Sequence, residues 1–327
     1  MQYHKPDSRW KIFNIPDYET YLEQSVIKGL FHKSVPNDVV EAYEVAEYLM
    51  AHAYYHYPLY DEATSKVLRT IEMAVKLRCT EIRISLEYTI QKNNKPVTRK
   101  KDLNRLMNEL NAAEPGKKMD WQFKNARNLR NSFMHPGYHT YSGAISRRFI
   151  ERSVTLFNKL FLPGSVFTSF ETKLTGEQTA MLDCKGLLVL EIQDKRYLVE
   201  SVTVKAAIFI NTKWVYYLAA IPVVHNIGGQ MKDHSYSLPL GYFITDLSIE
   251  KNEISATEIE KSVPLSIQTT THRDDLSVYT KFLGEKNNAP KVDQEIYDHF
   301  VKNWIAGKAN EFWYRFLHQV DTSTALF

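Results

Sequence analysis

The stretch Leu160 to Glu171, LFLPGSVFTSFE, is where the chain changes character. Upstream of Pro163-Gly164, apolar residues recur at three- and four-residue spacing, the period of an amphipathic helix. Downstream they fall in short runs rich in Val, Ile, Phe and Tyr, VFTSFE first among them, separated by Asp, Asn, Lys or Gly, the pattern of strands and turns. Pro-Gly is itself a stop signal. The reading divides the chain into an all-α helical bundle over residues 1–163 and an α+β domain over residues 164–327, with a mainly antiparallel sheet and a C-terminal helix.

Working upstream, GAISRRFIERSVTLFNKLFL predicts a helix with Ile145, Phe149, Val154, Leu156, Phe157 and Leu160 inward. MDWQFKNARNLRNSFM and KKDLNRLMNELNAAE predict two more, parted at Pro115-Gly116. YDEATSKVLRTIEMAVKLRCTEIRISLEYTI reads as one long helix, with Ala63, Val67, Ile71, Ala74, Val75 and Leu77 as its apolar line, and QKNNKPVTRK as a polar turn. PNDVVEAYEVAEYLMAHAYYHYPLY reads as a helix that Pro58 bends or ends, with Val40, Tyr43, Ala46, Leu49 and Met50 inward. The first 35 residues are mixed. Downstream, GLLVLEI, YLVESVTVKAAIFI, WVYYLAAIPVV and GYFITDLSI read as strands, and a helical period returns from Val292 to Val320 with Ile296, Phe300, Ala309, Phe312, Phe316 and Val320 inward.

Composition narrows the class. The chain has 327 residues, 44% apolar and 24% charged, which suits two folded domains. Twenty Tyr, 16 Phe and 5 Trp make it aromatic-rich, and core packing is the economical account of them. Two cysteines, Cys79 and Cys184, supply neither a disulfide framework nor a zinc quartet and point to a reducing cytoplasm. The N-terminus has no apolar core of signal-peptide type. The most apolar region, Val204 to Val224, is interrupted by Lys205, Asn211, Lys213 and Pro222, so strands are expected there rather than a membrane span. The net charge of +3 conceals an asymmetry. Residues 90–159 hold 15 Lys and Arg against 5 Asp and Glu, an excess of ten positive charges. Such a segment attracts an anionic partner, or else is a solvated lysine-rich surface.

Within it lies RNLRNSFMHPGYHTY, Arg127 to Tyr141. Asn131 and His135 are four apart and share a helix face, and the long side chain of Arg130 can reach the same place. Pro136-Gly137 should end the helix at His135. There the helix dipole favours the imidazolium, whereas burial beside Arg130 opposes it. A histidine at a helix end is by itself an ordinary cap. The joint pattern Arg130-Asn131-x-x-x-His135 at the end of a basic helix is more specific.

Those residues resemble the R-x4-H signature of the HEPN superfamily in its Arg-Asn-x-x-x-His form. The preceding segment YPLYDEATSKVLRTIEMAVKLR also resembles a HEPN helix, with Glu72 where many members carry an acidic residue. The similarity covers residues 37–162 and does not extend to the second domain. It implies a helical domain that dimerises with two motifs facing across one cleft. It also implies an endoribonuclease activity that needs no metal or other cofactor, of the kind found in toxin–antitoxin, abortive-infection and CRISPR-linked defence. Some members have lost the motif and only bind. In HEPN toxins paired with nucleotidyltransferase antitoxins, a Tyr two residues after the His is modified. Here Gly137 stands at that position and Tyr138 one later.

The residue chemistry leads the same way. RNA carries its own nucleophile, the 2′-hydroxyl, so cleavage requires proton transfer and cations on the phosphorane. Histidine transfers protons near neutrality. Arginine presents a fixed fork to phosphate oxygens. Arg130, Asn131 and His135 are thus the candidate catalytic set. Arg127, Asn128, Arg147, Arg148, Glu72 and Tyr138 are candidate substrate-binding residues. The expected partners are RNA, a second copy of the chain, and an antitoxin or activating partner, with no membrane. The alternative is a non-catalytic HEPN module that binds nucleic acid or protein.

His52 and His56, four apart, suit a metal pair on a helix but find no third ligand. His135 and His139 flank a turn and would need a remote ligand. Arg99-Lys100-Lys101 and Lys117-Lys118 read as loop charges able to follow an RNA backbone. Val223 to Gly229 has a glycine pair without a P-loop Lys-Ser/Thr. His272-Arg273-Asp274-Asp275 reads as a polar turn.

Overall fold

The computed structural model describes residues 4–133, 143–181, 186–250 and 253–322, and the side chains of residues 132, 133 and 143–145 lie outside the description. Contacts separate the chain into two units, Met1–Phe167 and Thr168–Phe327.

The first unit is helical: α1 (Tyr18–Ser25), α2 (Asn37–His52), α3 (Leu59–Glu81), then a hairpin of β1 (Glu87–Lys92) and β2 (Lys95–Lys100), followed by α4 (Leu103–Ala113), α5 (Asp120–Phe133) and α6 (Gly143–Phe161). The helix α7 (Gly164–Met181) crosses into the second unit. Residues 4–35 are therefore not formless: a 3-10 turn, Ser8–Phe13, precedes α1. Trp10 from that turn is buried against Tyr21 and Tyr57, its indole N–H donating to the Ala53 carbonyl at 2.9 Å. The hydroxyls of Tyr43 and Tyr60 donate to the carbonyls of Ile27 and Ser25 at 2.8 and 2.6 Å. Aromatic residues are thus spent on a core in which the phenol tips of Tyr21, Tyr43 and Tyr60 find backbone carbonyls. The inward line of α2 is Val39, Tyr43, Ala46 and Met50, with Val40 and Leu49 only half-buried.

Two sequence expectations fail at the end of α3. The helix stops at Glu81, not Ile90. The amide of Ile84 bonds to the Cys79 carbonyl and that of Arg83 to the Thr80 carbonyl, with Arg83 in the left-handed conformation at φ 63°. This is a Schellman stop in which Arg occupies the position that glycine usually announces. The expected polar turn QKNNKPVTRK is mostly strand. Asn93 and Asn94 both take positive φ, 53° and 58°, as a two-residue type I′ turn requires, and they pair EYTIQK with KPVTRK.

The segment VFTSFE is helical, within α7, and not a strand. Val166, Phe167 and Phe170 are buried, so its apolar content serves a helix–core contact. The second unit continues with β3 (Leu188–Ile192), β4 (Lys195–Ile210), β5 (Lys213–Pro222), α8 (Ile227–Lys232), β6 (Leu240–Glu250), β7 (Glu253–Glu258), β8 (Val263–Thr269), α9 (Arg273–Asn288) and α10 (Lys291–Phe316). The six strands close into a barrel in chain order, antiparallel throughout, with β3 pairing β8. Closure removes the exposed edges an open sheet would have. Register shifts at Val199/Ser201 and Val204/Ala206 in β4, and at Thr245/Ser248 in β6, supply the extra local twist that closure needs.

Leu190, Val204, Leu218, Ile244, Leu265 and Ile267 fill the barrel, with Leu174 and Met181 of α7 packed on the same cluster. Strand β5 is covered on both faces. Tyr216, Leu218 and Ala220 belong to the interior cluster, and Tyr217 on the other face meets Phe243, which packs on Phe312 and Phe316 of α10. That is why WVYYLAAI is apolar without alternation. In α10 the buried residues are Tyr297, Val301 and Phe312, and Ile296 is 39% exposed, not inward.

Candidate functional site

The first unit's basic helix is α5. Between Trp121 and Phe133 it has Lys124, Arg127 and Arg130 and no carboxylate. Phe123, Ala126 and Leu129 are buried and set the orientation, which leaves Trp121, Lys124, Asn128, Arg130 and Asn131 exposed. Helical period thus puts the cations on the outer face because the apolar residues claim the inner one.

Arg130 lies near the C-terminal end of α5. Its Nη2 is 3.4 Å from Oε2 of Glu72 on α3, and the other oxygen of Glu72 accepts from Lys76 Nζ at 2.7 Å. The pair is partly exposed, 47% for the Arg130 side chain and 29% for that of Glu72. Two residues from separate helices, both singled out in the sequence, therefore meet. Arg127 donates from Nη1 to the side-chain oxygen of Asn104 on α4. Asn131 and Asn128 are exposed on α5. Arg147 and Arg148 are exposed in the N-terminal half of α6. His135, Tyr138 and His139 lie outside the described residues.

Alongside this is a groove whose residues carry no sequence motif. It is lined by Trp121, Gln122 and Asn125 of α5, Ile71 of α3, and Phe149 and Arg152 of α6. The Arg152 guanidinium lies over the Trp121 ring, 4.5 Å from its centre, while half of Trp121 remains exposed. Burial and the nearby Arg148 both pull the Arg152 pKa downward. The signal in the sequence was the four-residue spacing of Arg148 and Arg152 and the seven-residue spacing of Trp121 and Asn128, each pair on one helix stripe.

Two basic candidates are structural instead. Lys117 is not a loop charge. It is 1% exposed, and its Nζ donates to the Leu160 carbonyl at 2.8 Å and lies 2.9 Å from Glu114. Burial pushes its pKa down to about 8 against the pull of Glu114. Burial also works against the charge on Arg78, but the carboxylates of Glu114 and Glu81 outweigh it and raise its pKa. Lys101 is likewise committed, to Glu109 at 2.5 Å, with its side chain 9% exposed. Arg99 and Lys100 are exposed on β2.

The histidine pair separates. α2 ends at His52, whose ring packs on Tyr48 at 4.2 Å, and His56 falls beyond the helix, so the spacing no longer places both on one face. Among the described residues, no three or more His, Cys, Asp or Glu gather in a metal-binding group.

In the second unit, Asn226 caps α8 from a left-handed conformation, its side chain accepting from the Gly229 amide. A Cβ on Gly229 would come within 2.4 Å of that side chain, so the glycine serves the cap and not a phosphate loop. Next to it a cleft of about 250 Å³ is lined by His225, Asn226, Ser277, Lys281, Phe282 and Glu285. His272-Arg273-Asp274-Asp275 is not a turn but the start of α9. Asp275 accepts from Arg196 at 2.6 and 3.1 Å and from Thr270 at 2.8 Å, a structural tie between β4 and α9.

Among the described residues, no helix is long and apolar enough to cross a membrane. No protein-family model matches the chain, and comparison with curated proteins and with solved structures gives no match.

Proposed function

We propose that the chain is a metal-independent endoribonuclease of HEPN type, acting as a homodimer in the cytoplasm in a toxin or antiviral defence role. The observation that carries the reading is the meeting of Arg130 with Glu72 at the exposed face of α5 that also presents Lys124. It brings the arginine of the R-x4-H pattern together with the acidic residue that the resemblance marks on the preceding long helix. In this mechanism His135 moves a proton at the 2′-hydroxyl or the leaving 5′-oxygen. Arg130 neutralises charge growing on the phosphorane, and Asn131 orients His135 or a phosphate oxygen. One histidine per chain provides one proton-transfer group, so two chains provide the acid and the base. The products are a 2′,3′-cyclic phosphate and a 5′-hydroxyl.

The test is RNA incubated with purified protein in EDTA, with the ends of the products identified. Cleavage in the wild type, lost in folded Arg130→Ala and His135→Ala, is expected. Undiminished cleavage by His135→Ala would falsify the mechanism. A second reading, a binding module without turnover, is favoured by one fact: Arg127 and Arg130 already hold protein acceptors, Asn104 and Glu72. It predicts RNA or protein binding with no products under any condition. A metal-dependent hydrolase predicts cleavage that EDTA abolishes.

A further inference from the structure

We propose that Trp121, with Arg152 and Arg148, is a stacking platform for one base of a single-stranded RNA bound along α5 and α6. This rests on the ribonuclease reading and extends it to the form of the substrate. Trp121 is a large aromatic residue at the start of α5 with half its surface exposed. Its own unit has ample aromatic core, so exposure is not forced by lack of room. The Arg152 guanidinium covers part of the ring and holds its plane. An arginine stacked on tryptophan is also placed to meet a phosphate, because its charge persists at neutral pH while burial and Arg148 disfavour it. A phosphate at Arg152 would relieve that repulsion. Asn125 lines the same groove and offers an amide donor and acceptor to a base edge, and Gln122, whose amide nitrogen donates to the Lys118 and Met119 carbonyls, adds an acceptor oxygen.

The charge around the ring selects the occupant. Lys124 shares the outer face of α5, and Arg148 lies one turn before Arg152 on α6. The acidic neighbours in sequence are Asp120 and Glu151. An apolar protein partner would leave these cations desolvated, whereas a nucleic acid neutralises them. Stacking needs a ring face and not an enclosed pocket, so a shallow groove suffices. A duplex keeps its bases stacked inward and gives Trp121 nothing to hold, so the substrate is single-stranded there. Trp121 and Arg130 are nine residues apart on α5, about 13.5 Å along its axis. At duplex-like spacing that spans roughly four nucleotides, and fewer when the strand is extended.

The experiment uses the full chain carrying His135→Ala, so that RNA survives, and a fluorescently labelled short single-stranded RNA read by polarisation. Adding Trp121→Ala is expected to weaken binding roughly 5- to 150-fold, the loss of one stacked base, while Trp121→Phe retains most of it. A duplex of the same sequence should lose little. Equal affinity of the Trp121→Ala and parent chains overturns the proposal. So does loss of affinity that tracks a fall in oligomer mass by light scattering, which would make Trp121 a contact between protein chains. Cleavage by chains with His135 intact is scored separately. Cleavage without any Trp121 effect removes the platform and leaves the nuclease. A Trp121 effect without cleavage in the wild type removes the nuclease and leaves single-strand binding.

Discussion

Replacing Lys117 by Met tests whether the buried ion cluster holds the turn that starts α5. Lys117 ends the short 3-10 turn Pro115–Lys117, just before α5 begins at Asp120. Its ammonium is bonded to the carbonyl of Leu160 near the end of α6 and to Glu114. Met fills most of the same space, so no large cavity forms. The change instead leaves the Leu160 carbonyl without this donor and Glu114 with Arg78 as its main cationic partner. Breaking a buried pair from one side costs about 3–5 kcal/mol, and the retained Arg78 argues for the lower end, about 3 kcal/mol. In a unit of this size that lowers the melting temperature by roughly 6–12 °C. The pH dependence is more diagnostic. The folded pKa of about 8 lies below the ordinary 10.5. Between those values the unfolded chain holds a proton that the folded chain has released. Unfolding therefore takes up a proton, and wild-type stability rises with pH across the window by up to about 1.4 kcal/mol per pH unit from this group. Below about 8 both states are protonated and the contribution is flat. Thermal unfolding by circular dichroism of wild type and Lys117→Met, at matched pH on either side of 8, should show a gap that widens as pH rises. A gap that stays constant or narrows would refute the argument.

Glu72→Gln should change stability by less than about 1 kcal/mol, since its pairs with Arg130 and Lys76 are partly solvated. Removing a carboxylate beside Arg130, the proposed phosphate contact, should tighten RNA binding at low salt. Binding weakened as much as in Arg130→Ala would instead make Glu72 a positioning residue. In the barrel unit, the Arg196 guanidinium, with Thr270, holds the Asp275 carboxyl below its ordinary value against the effect of burial. That stability is present above the ordinary carboxylate pKa and is lost as pH falls through the lowered one. Asp275→Asn should cost on the order of 1.5–3 kcal/mol at neutral pH and flatten the acid limb of the unfolding curve, and an unchanged acid limb would contradict this.

Much of the helical unit was legible because period alone decides an amphipathic helix. The buried stripes of α3 and α6 include nearly every described residue that the three- and four-residue spacing selected. Where the reading failed, a local signal was outweighed by context. VFTSFE has strand composition, yet in α7 Val166, Phe167 and Phe170 fall on buried positions of a helix. EISATE and VPLSIQT were too polar to announce strands, and they pair because barrel closure leaves two vacant edges for them. The glycine pair Gly228-Gly229 hid the helix α8, since a side-chain cap needs the space that a Cβ would fill.

For the candidate site the division is similar. The one-dimensional chain determined that Arg130, Asn131 and His135 stand at motif spacing on a basic segment, because residue type and spacing are written in it directly. Tertiary structure decided which charges are available. Burial turned Lys117 and Lys101 from candidate RNA contacts into internal ties, since an ammonium withdrawn from water must be paired. It also brought Glu72 to Arg130 and Arg152 to Trp121 across gaps of 58 and 31 positions. Spacing along a chain cannot encode such meetings, because they depend on how whole helices pack.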